Sequence, residues 1–275
     1  MNNKCTVSVI IPTYCPKDYL WACLESLVVQ TLSYSDYEVI IVLNGDLSKA
    51  KSISAYIDSH REVNFILLKT ETAGVSNARN VGIDSCNGEY ITFIDDDDFV
   101  SPTYLEELLC KASPNTVSLC YPLSFIDGTD KYVPYNITDC YHTNVNKNSL
   151  SIDDVRSYFS GPVYKLIHRD IIGDRRYDTR LVNGEDTLFM FEISNRIKQL
   201  SFTSRNAVYY RRFREGSATN KNRTTIDHIK SNTLQIIEVL KSYFKDPLHY
   251  NFGFFASRCG AGLYDIFNSL IFKNK

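Results

Sequence analysis

The sequence predicts an α/β fold: a mostly parallel, doubly wound sheet with helices on both faces and further helices at the C-terminus. Three observations carry this. Apolar and β-branched runs without polar alternation recur through the first hundred residues, as strands buried on both faces require. Stretches with apolar residues at helical spacing separate them. Gly, Asn, Asp or Pro mark most of the exchanges. Strand–helix alternation of this kind builds parallel βαβ units.

Taken in order, residues 6–12 (TVSVIIP) form the first strand, ending at Pro12. Leu20, Leu24, Leu27 and Val28 then share one face of a helix over 18–30. YEVIIVL (37–43) is a second strand, stopped by Asn44-Gly45. A helix over 47–59 places Ile53 and Ile57 together, and VNFILL (63–68) is a third strand. Residues 74–86 suit a helix whose Val75, Ala78 and Gly82 are small enough for close packing. Residues 90–94 are a fourth strand. Ser101 as N-cap and Pro102 at the first helical position open a helix to about 112. Beyond residue 115 the pattern loosens. A strand is expected within 116–127, irregular chain over 128–149, and a short helix from Ser151 to Phe159 with Asp154 in the capping-box place. A strand opens 161–172, a turn and helix occupy 183–197, and a strand within 200–214 ends in Arg211-Arg212-Phe213-Arg214. Two helices, roughly 225–244 and 252–271, finish the chain. The expected division is a domain over 1–215, with halves 1–115 and 116–215, and a helical extension over 216–275.

The 275 residues are 44% hydrophobic with a formal net charge of -2, which gives no basic field for nucleic acid. Eight cysteines include no Cys-x-x-Cys pair and no zinc-ligand spacing. Cys5, Cys23, Cys86 and Cys110 read as small buried hydrophobes of a reducing compartment. The N-terminus has no long apolar run and no stretch approaches a membrane span, so a cytoplasmic protein is expected.

In such sheets ligands bind beyond the carboxyl ends of the strands. The alternation therefore sets Pro12-Thr13-Tyr14, Asn44-Gly45-Asp46 and Asp95 to Asp98 on one rim. The last is the most informative, because four adjacent carboxylates close a buried strand with no base nearby in sequence. A solvated acidic loop is the plain reading, but a buried strand gains nothing from one. A calcium loop fails, because Phe99 and Val100 stand where an oxygen ligand and a glycine are needed. An aspartyl nucleophile lacks a helper pattern. A divalent cation shared with a nucleotide diphosphate fits, since Mg2+ and Mn2+ take one or two carboxylates plus phosphate oxygens. Strand alternation would turn Asp95 and Asp97 to one face.

SVIIPTY (8–14), GVSNARNVGI (74–83), GEYITFIDDDDFVSP (88–102) and GEDTLF (184–189), in this order, resemble the family 2 glycosyltransferases with a GT-A fold. The resemblance implies a bacterial surface-polysaccharide enzyme, and it implies roles. Pro12, Thr13 and Tyr14 would hold base and ribose. Asn44 stands where the family usually has Asp-Asp-Gly; this departure leaves the base less certain, with uridine expected. Arg79 would lie near base and phosphates. Asp95 would contact ribose and metal, Asp97 the metal, with Asp96 as a second contact. Asp186 would be the general base at a helix start, with Glu185 in reserve. Arg211 and Arg212, followed by Ser217, would bind the diphosphate, and Lys221 and Arg223 could close over it.

These roles compose an inverting, metal-dependent transfer from a nucleotide-sugar to a glycan or lipid-linked acceptor. A nucleotidyltransferase of sugar phosphates and a non-catalytic carbohydrate-binding protein remain as alternatives. The C-terminal helices carry Phe, Leu and Ile with Arg258, Lys273 and Lys275. They would either touch the inner face of the membrane or pack on the protein or a second subunit.

Overall fold

The structure, a computed structural model, describes residues 5–214 and 225–271. A seven-stranded sheet forms the centre. Its first half repeats strand and helix: β1 (Val7–Thr13), α1 (Tyr19–Val28), β2 (Tyr37–Asn44), α2 (Ala50–Ser59), β3 (Asn64–Thr70), α3 (Val75–Ser85) and β4 (Tyr90–Phe93). These four strands are parallel, and β1 and β2 are buried along their whole length. Continuous apolar sequence and burial on both faces thus have one cause.

The second half departs from simple alternation. After β5 (Phe99–Val100) and α4 (Tyr104–Lys111), the stretch expected as one strand divides into β6 (Thr116–Leu119) and β7 (Tyr121–Ile126). Cys120 is the switch, its N–H donating to Tyr164 O at 3.0 Å while that of Tyr121 donates to Ala207 O at 3.0 Å. The region expected to be irregular contains β8 (Tyr132–Val133) and α5 (Asn136–Asn144). A 3-10 turn (Arg156–Ser160), β9 (Lys165–His168), α6 (Arg169–Ile172), α7 (Glu185–Ser194), β10 (Gln199–Phe202) and β11 (Val208–Phe213) follow. The central order is β10-β6-β9-β4-β1-β2-β3, with β9 antiparallel to both neighbours. A four-stranded sheet, β5-β11-β7-β8, stands beside it. The helices α8 (Thr225–Lys245) and α9 (Phe252–Ile271) pack on each other and on α7.

Four local expectations are corrected. Ser101 does not cap α4; its hydroxyl donates to Asn206 O at 2.6 Å and accepts from Val208 N at 2.8 Å, tying β5 to β11. Ser151 and Asp154 do bond reciprocally, but they close a turn ahead of the 3-10 segment. Cys110 is exposed, whereas Cys5, Cys23 and Cys86 are buried. Arg258 is not offered to headgroups: it is buried and donates to Arg156 O and Phe159 O. Lys273 and Lys275 lie outside the described residues. Among the described residues no helix is long and apolar enough to cross a membrane.

Candidate active site

The site is assembled by close packing of α3 on β1. A Cβ on Gly82 would stand 2.4 Å from Ile10 Cγ2, so only glycine lets the helix approach this far. One turn toward its N-terminus, this lowers Arg79 onto the rim. Arg79 is buried and donates to Asp186 Oδ1 at 2.5 Å and to Asp95 Oδ1 at 3.2 Å. Tyr177 lies against the same guanidinium, 5.4 Å from ring centroid to Cζ. Arg79 and Asp186, 107 positions apart, thus meet directly, and the same cation joins Asp186 to Asp95.

The acidic run is a turn, not a continued strand. Asp98 N–H donates to Asp95 O at 3.1 Å, and the side chains then diverge. Asp95 goes to Arg79. Asp97 Oδ2 accepts both Nε and Nη2 of Arg214, at 2.9 and 2.7 Å. Asp98 is buried, accepting from Tyr209 Oη at 2.8 Å and Arg212 N at 2.7 Å. Asp96 Oδ2 is buried without a hydrogen-bond partner among the described residues. Two expectations change. Alternation does not set Asp95 and Asp97 on one face, because the turn sends them to different arginines. Nor is the run without a base, as its neighbours in sequence suggest, because Arg79 and Arg214 neutralise part of it.

Burial pushes Asp95, Asp96 and Asp98 above the usual carboxylate range. At Asp95 the Arg79 charge works against that push; at Asp96 and Asp98 the neighbouring carboxylates add to it. Asp186, second residue of α7, is pushed up to about 6 by burial, with Arg79 opposing and Glu185 adding. Gly184 precedes them at φ +80°, a conformation that turns the chain sharply into the helix.

Of the remaining expected residues, Thr13 is fully buried and Tyr14 is half exposed at the rim, with Pro12 in β1 beneath. Asn44 lies at the same rim with both side-chain groups engaged. It is buried, its amide donates to Thr13 O at 2.7 Å, and its carbonyl accepts from Gly74 N at 2.9 Å, so it shapes the rim. Arg212 donates to Asp127 Oδ1 at 2.5 Å and Asp97 O at 2.7 Å. Arg211 lies over the Tyr135 ring, away from Asp97. Ser217, Lys221 and Arg223 lie outside the described residues. Sequence reasoning gave Arg214 no role, although it is the arginine on Asp97, and it missed Tyr177 and Lys165. Lys165 is buried, its ammonium donates to Gly161 O and Val163 O at 2.6 Å each, and burial pulls it down to about 7.

The donors suit a hard cation. The Asp95–Asp98 turn is all carboxylate, and one of its buried oxygens has no partner. Among the described residues no group of three or more His, Cys, Asp or Glu is arranged to hold a metal alone, so a cation here would need oxygens from its ligand. Asp97 would exchange Arg214 for it.

A parallel half-sheet whose strand ends gather a carboxylate turn, a buried arginine and a helix-start aspartate defines the GT-A class of α/β transferase folds. The model of glycosyl transferase family 2 matches residues 8–175, and the chain belongs to that family. It is 28% identical over 218 residues to the putative glycosyltransferase EpsH of Bacillus subtilis, covering 74% of this chain and 60% of EpsH. It is 26% identical over 249 residues to the poly(ribitol-phosphate) beta-N-acetylglucosaminyltransferase TarP of Staphylococcus aureus, covering 89% and 74%. With the Streptococcus pneumoniae glycosyltransferase GlyA it shares 29% over 144 residues, only 20% of that relative's length. The chain thus spans well under two thirds of some relatives. Among solved structures, S. aureus TarS 1-349 in complex with UDP-GlcNAc superposes with a TM-score of 0.75 at 22% identity, over 96% of this chain and 73% of that one. A Pyrobaculum calidifontis mannosyltransferase with GDP-Man and Mn2+ superposes at 0.62 and 12% identity, over 96% and 72%.

Proposed function

We propose that the protein moves a sugar from a UDP-linked nucleotide-sugar to a glycan hydroxyl, inverting the anomeric centre, with Mn2+ or Mg2+ at the acidic turn, in surface-polysaccharide synthesis. The observation that carries this is the Asp95–Arg79–Asp186 bridge, which sets a candidate base beside a candidate diphosphate seat. The bound UDP-GlcNAc of TarS and the GDP-Man with Mn2+ of the mannosyltransferase support the donor and metal classes.

Tyr14, half exposed, offers a ring for a base to stack on. Asp97, with Asp95 or Asp96, would hold the cation. That cation, when bound, neutralises charge growing on the departing diphosphate. Arg79 grips Asp186 by Oδ1, which leaves Oδ2 for an acceptor hydroxyl. The helix N-terminus favours the carboxylate there. The acceptor oxygen forms its bond to the anomeric carbon as the bond to the diphosphate breaks. The diphosphate leaves with the electron pair, and the hydroxyl proton goes to Asp186. Arg214 and Arg212, already on the turn, add positive charge where the leaving group gains negative charge. No covalent enzyme intermediate is needed.

Asp186→Asn is expected to lower transfer by about a hundredfold or more while nucleotide binding is kept. Asp97→Ala is expected to weaken nucleotide binding itself. Titrating UDP into each variant and assaying UDP release from UDP-GlcNAc checks both; normal turnover by Asp186→Asn removes it from the base role. Release of pyrophosphate from a nucleoside triphosphate would favour nucleotidyl transfer instead.

A further inference from the structure

Asp98 spends both of its carboxylate oxygens inside the protein. It is buried, Oδ2 accepts from Tyr209 Oη at 2.8 Å, and Oδ1 accepts from Arg212 N at 2.7 Å. The same phenol oxygen accepts from Asp95 N at 3.2 Å, and among the described residues that N–H has no other partner. One hydroxyl therefore ties the first residue of the acidic turn to the last, beside the backbone bond from Asp98 N to Asp95 O. Tyr209 reaches this place because β11 pairs with β5, which sets it opposite Val100, two residues past Asp98. Strand alternation turns Tyr210 to the other face.

The ring that carries this hydroxyl is packed on all sides. Tyr209 is fully buried. Tyr164 meets it edge-on at 4.6 Å between centroids, and Tyr104 lies 6.1 Å away. Tyr164 takes φ +73°, a left-handed conformation that a bulky side chain seldom occupies. Lys165 holds the preceding chain through Gly161 O and Val163 O, and Tyr164 Oη shares a hydrogen bond with Tyr135 Oη at 2.9 Å. A buried lysine spent on two carbonyls and a tyrosine in an unfavoured conformation thus build one wall behind Tyr209. A phenol that both donates and accepts has its hydroxyl direction fixed. If Asp98 turned to a cation instead, Tyr209 Oη and Arg212 N would be left as buried donors without a partner, which costs more than a hydrogen bond gains.

We infer that Tyr209 and Asp98 form a clamp that aims the carboxylates of Asp95 and Asp97 at the cation and nucleotide, and that Asp98 touches neither. Both are positioning residues. The role of the cation rests on the transfer reaction proposed above. The test uses the whole chain and compares the wild type with Tyr209→Phe, Asp98→Asn and Tyr104→Phe. Tyr209→Phe removes the hydroxyl and keeps the packed ring. Tyr104→Phe is the control: it removes another buried phenol hydroxyl, whose nearest partner is Thr92 Oγ1 at 3.5 Å, away from the turn. Mn2+ affinity and the paramagnetic resonance line shape of bound Mn2+ are read with UDP present. Tyr209→Phe is expected to bind Mn2+ about tenfold more weakly and with an altered line shape, and Tyr104→Phe as the wild type does. Asp98→Asn keeps a carbonyl acceptor, so it is expected to lose no more than Tyr209→Phe. Amide hydrogen exchange at Asp95, which needs no metal, is expected to quicken at least about tenfold in Tyr209→Phe. Unchanged Mn2+ affinity and line shape in Tyr209→Phe overturns the inference. So does an equal loss in Tyr104→Phe, or a loss in Asp98→Asn as complete as in Asp97→Ala, which would make Asp98 a ligand. A wild type that binds no Mn2+ with UDP, together with fast exchange at Asp95 in Tyr209→Phe, upholds the clamp and sinks the proposed metal instead.

Discussion

Asp186 is held by one oxygen, and its titration follows from its surroundings. Burial lifts it from the ordinary carboxylate value of 3.8 to about 6, with Arg79 pulling the other way. A base must be ionised, so kcat/KM is expected to fall as pH drops through about 6 and to be level above it; a pH–rate profile checks this. The stability effect has the opposite sense. A raised folded pKa means the folded chain binds this proton more tightly, so the contribution is full below the unfolded value and fades as pH rises through about 6. Arg79→Met removes the opposing cation and leaves two carboxylates unpaired. It is expected to destabilise the protein by about 3 kcal/mol in urea unfolding and to move the acid limb to higher pH. A limb that stays in place would show that Asp186 is not the group titrating. At this scale the sequence was readable for residue types and poor for pairings. Arg214 and Asp97 lie 117 positions apart, and only the fold says that Arg214, not Arg211, faces the turn.

Among the elements, the strand–helix repeats through α4 were legible because each is specified locally, by periodicity and turn residues. The expected strand 90–94 and the observed Tyr90–Phe93 differ by one residue. Legibility failed where two sheets share one stretch of chain. TVSLCYPLSFI carries no charged residue, and nothing local marks Cys120 as the place where the chain changes sheets. It failed again at α5, whose polar sequence becomes helical by packing on β7 and the 3-10 turn. The acidic run was misread as a strand ending for a related reason: β5 begins at Phe99, so the chain must turn within the aspartates. The contact of α3 with β1 gives the element-scale prediction. Gly82→Val is expected to lose about 1–3 kcal/mol by overpacking Ile10 and to weaken nucleotide binding by lifting Arg79. Chemical denaturation and UDP titration read the two effects. Wild-type stability in this variant would show that the close approach does not matter.

In the whole molecule, arginines from α3 and from the end of β11 converge on the Asp95–Asp98 turn, while α8 and α9 close the far side of α7. The turn is thus partly neutralised by internal cations, and the proposed function adds an external one. Asp95 and Asp97 are paired with Arg79 and Arg214, while Asp96 Oδ2 is buried with no partner among the described residues. Family membership was legible from four short motifs spread over 8–189, because each preserves a local chemistry. The most direct measurement is the binding of Mn2+, followed by its electron paramagnetic resonance signal, with and without UDP, to the wild type and to Asp97→Ala. The account predicts weak Mn2+ binding alone, at least about tenfold tighter binding with UDP, and loss of that gain in Asp97→Ala. Equal UDP affinity with and without Mn2+ in the wild type would contradict it.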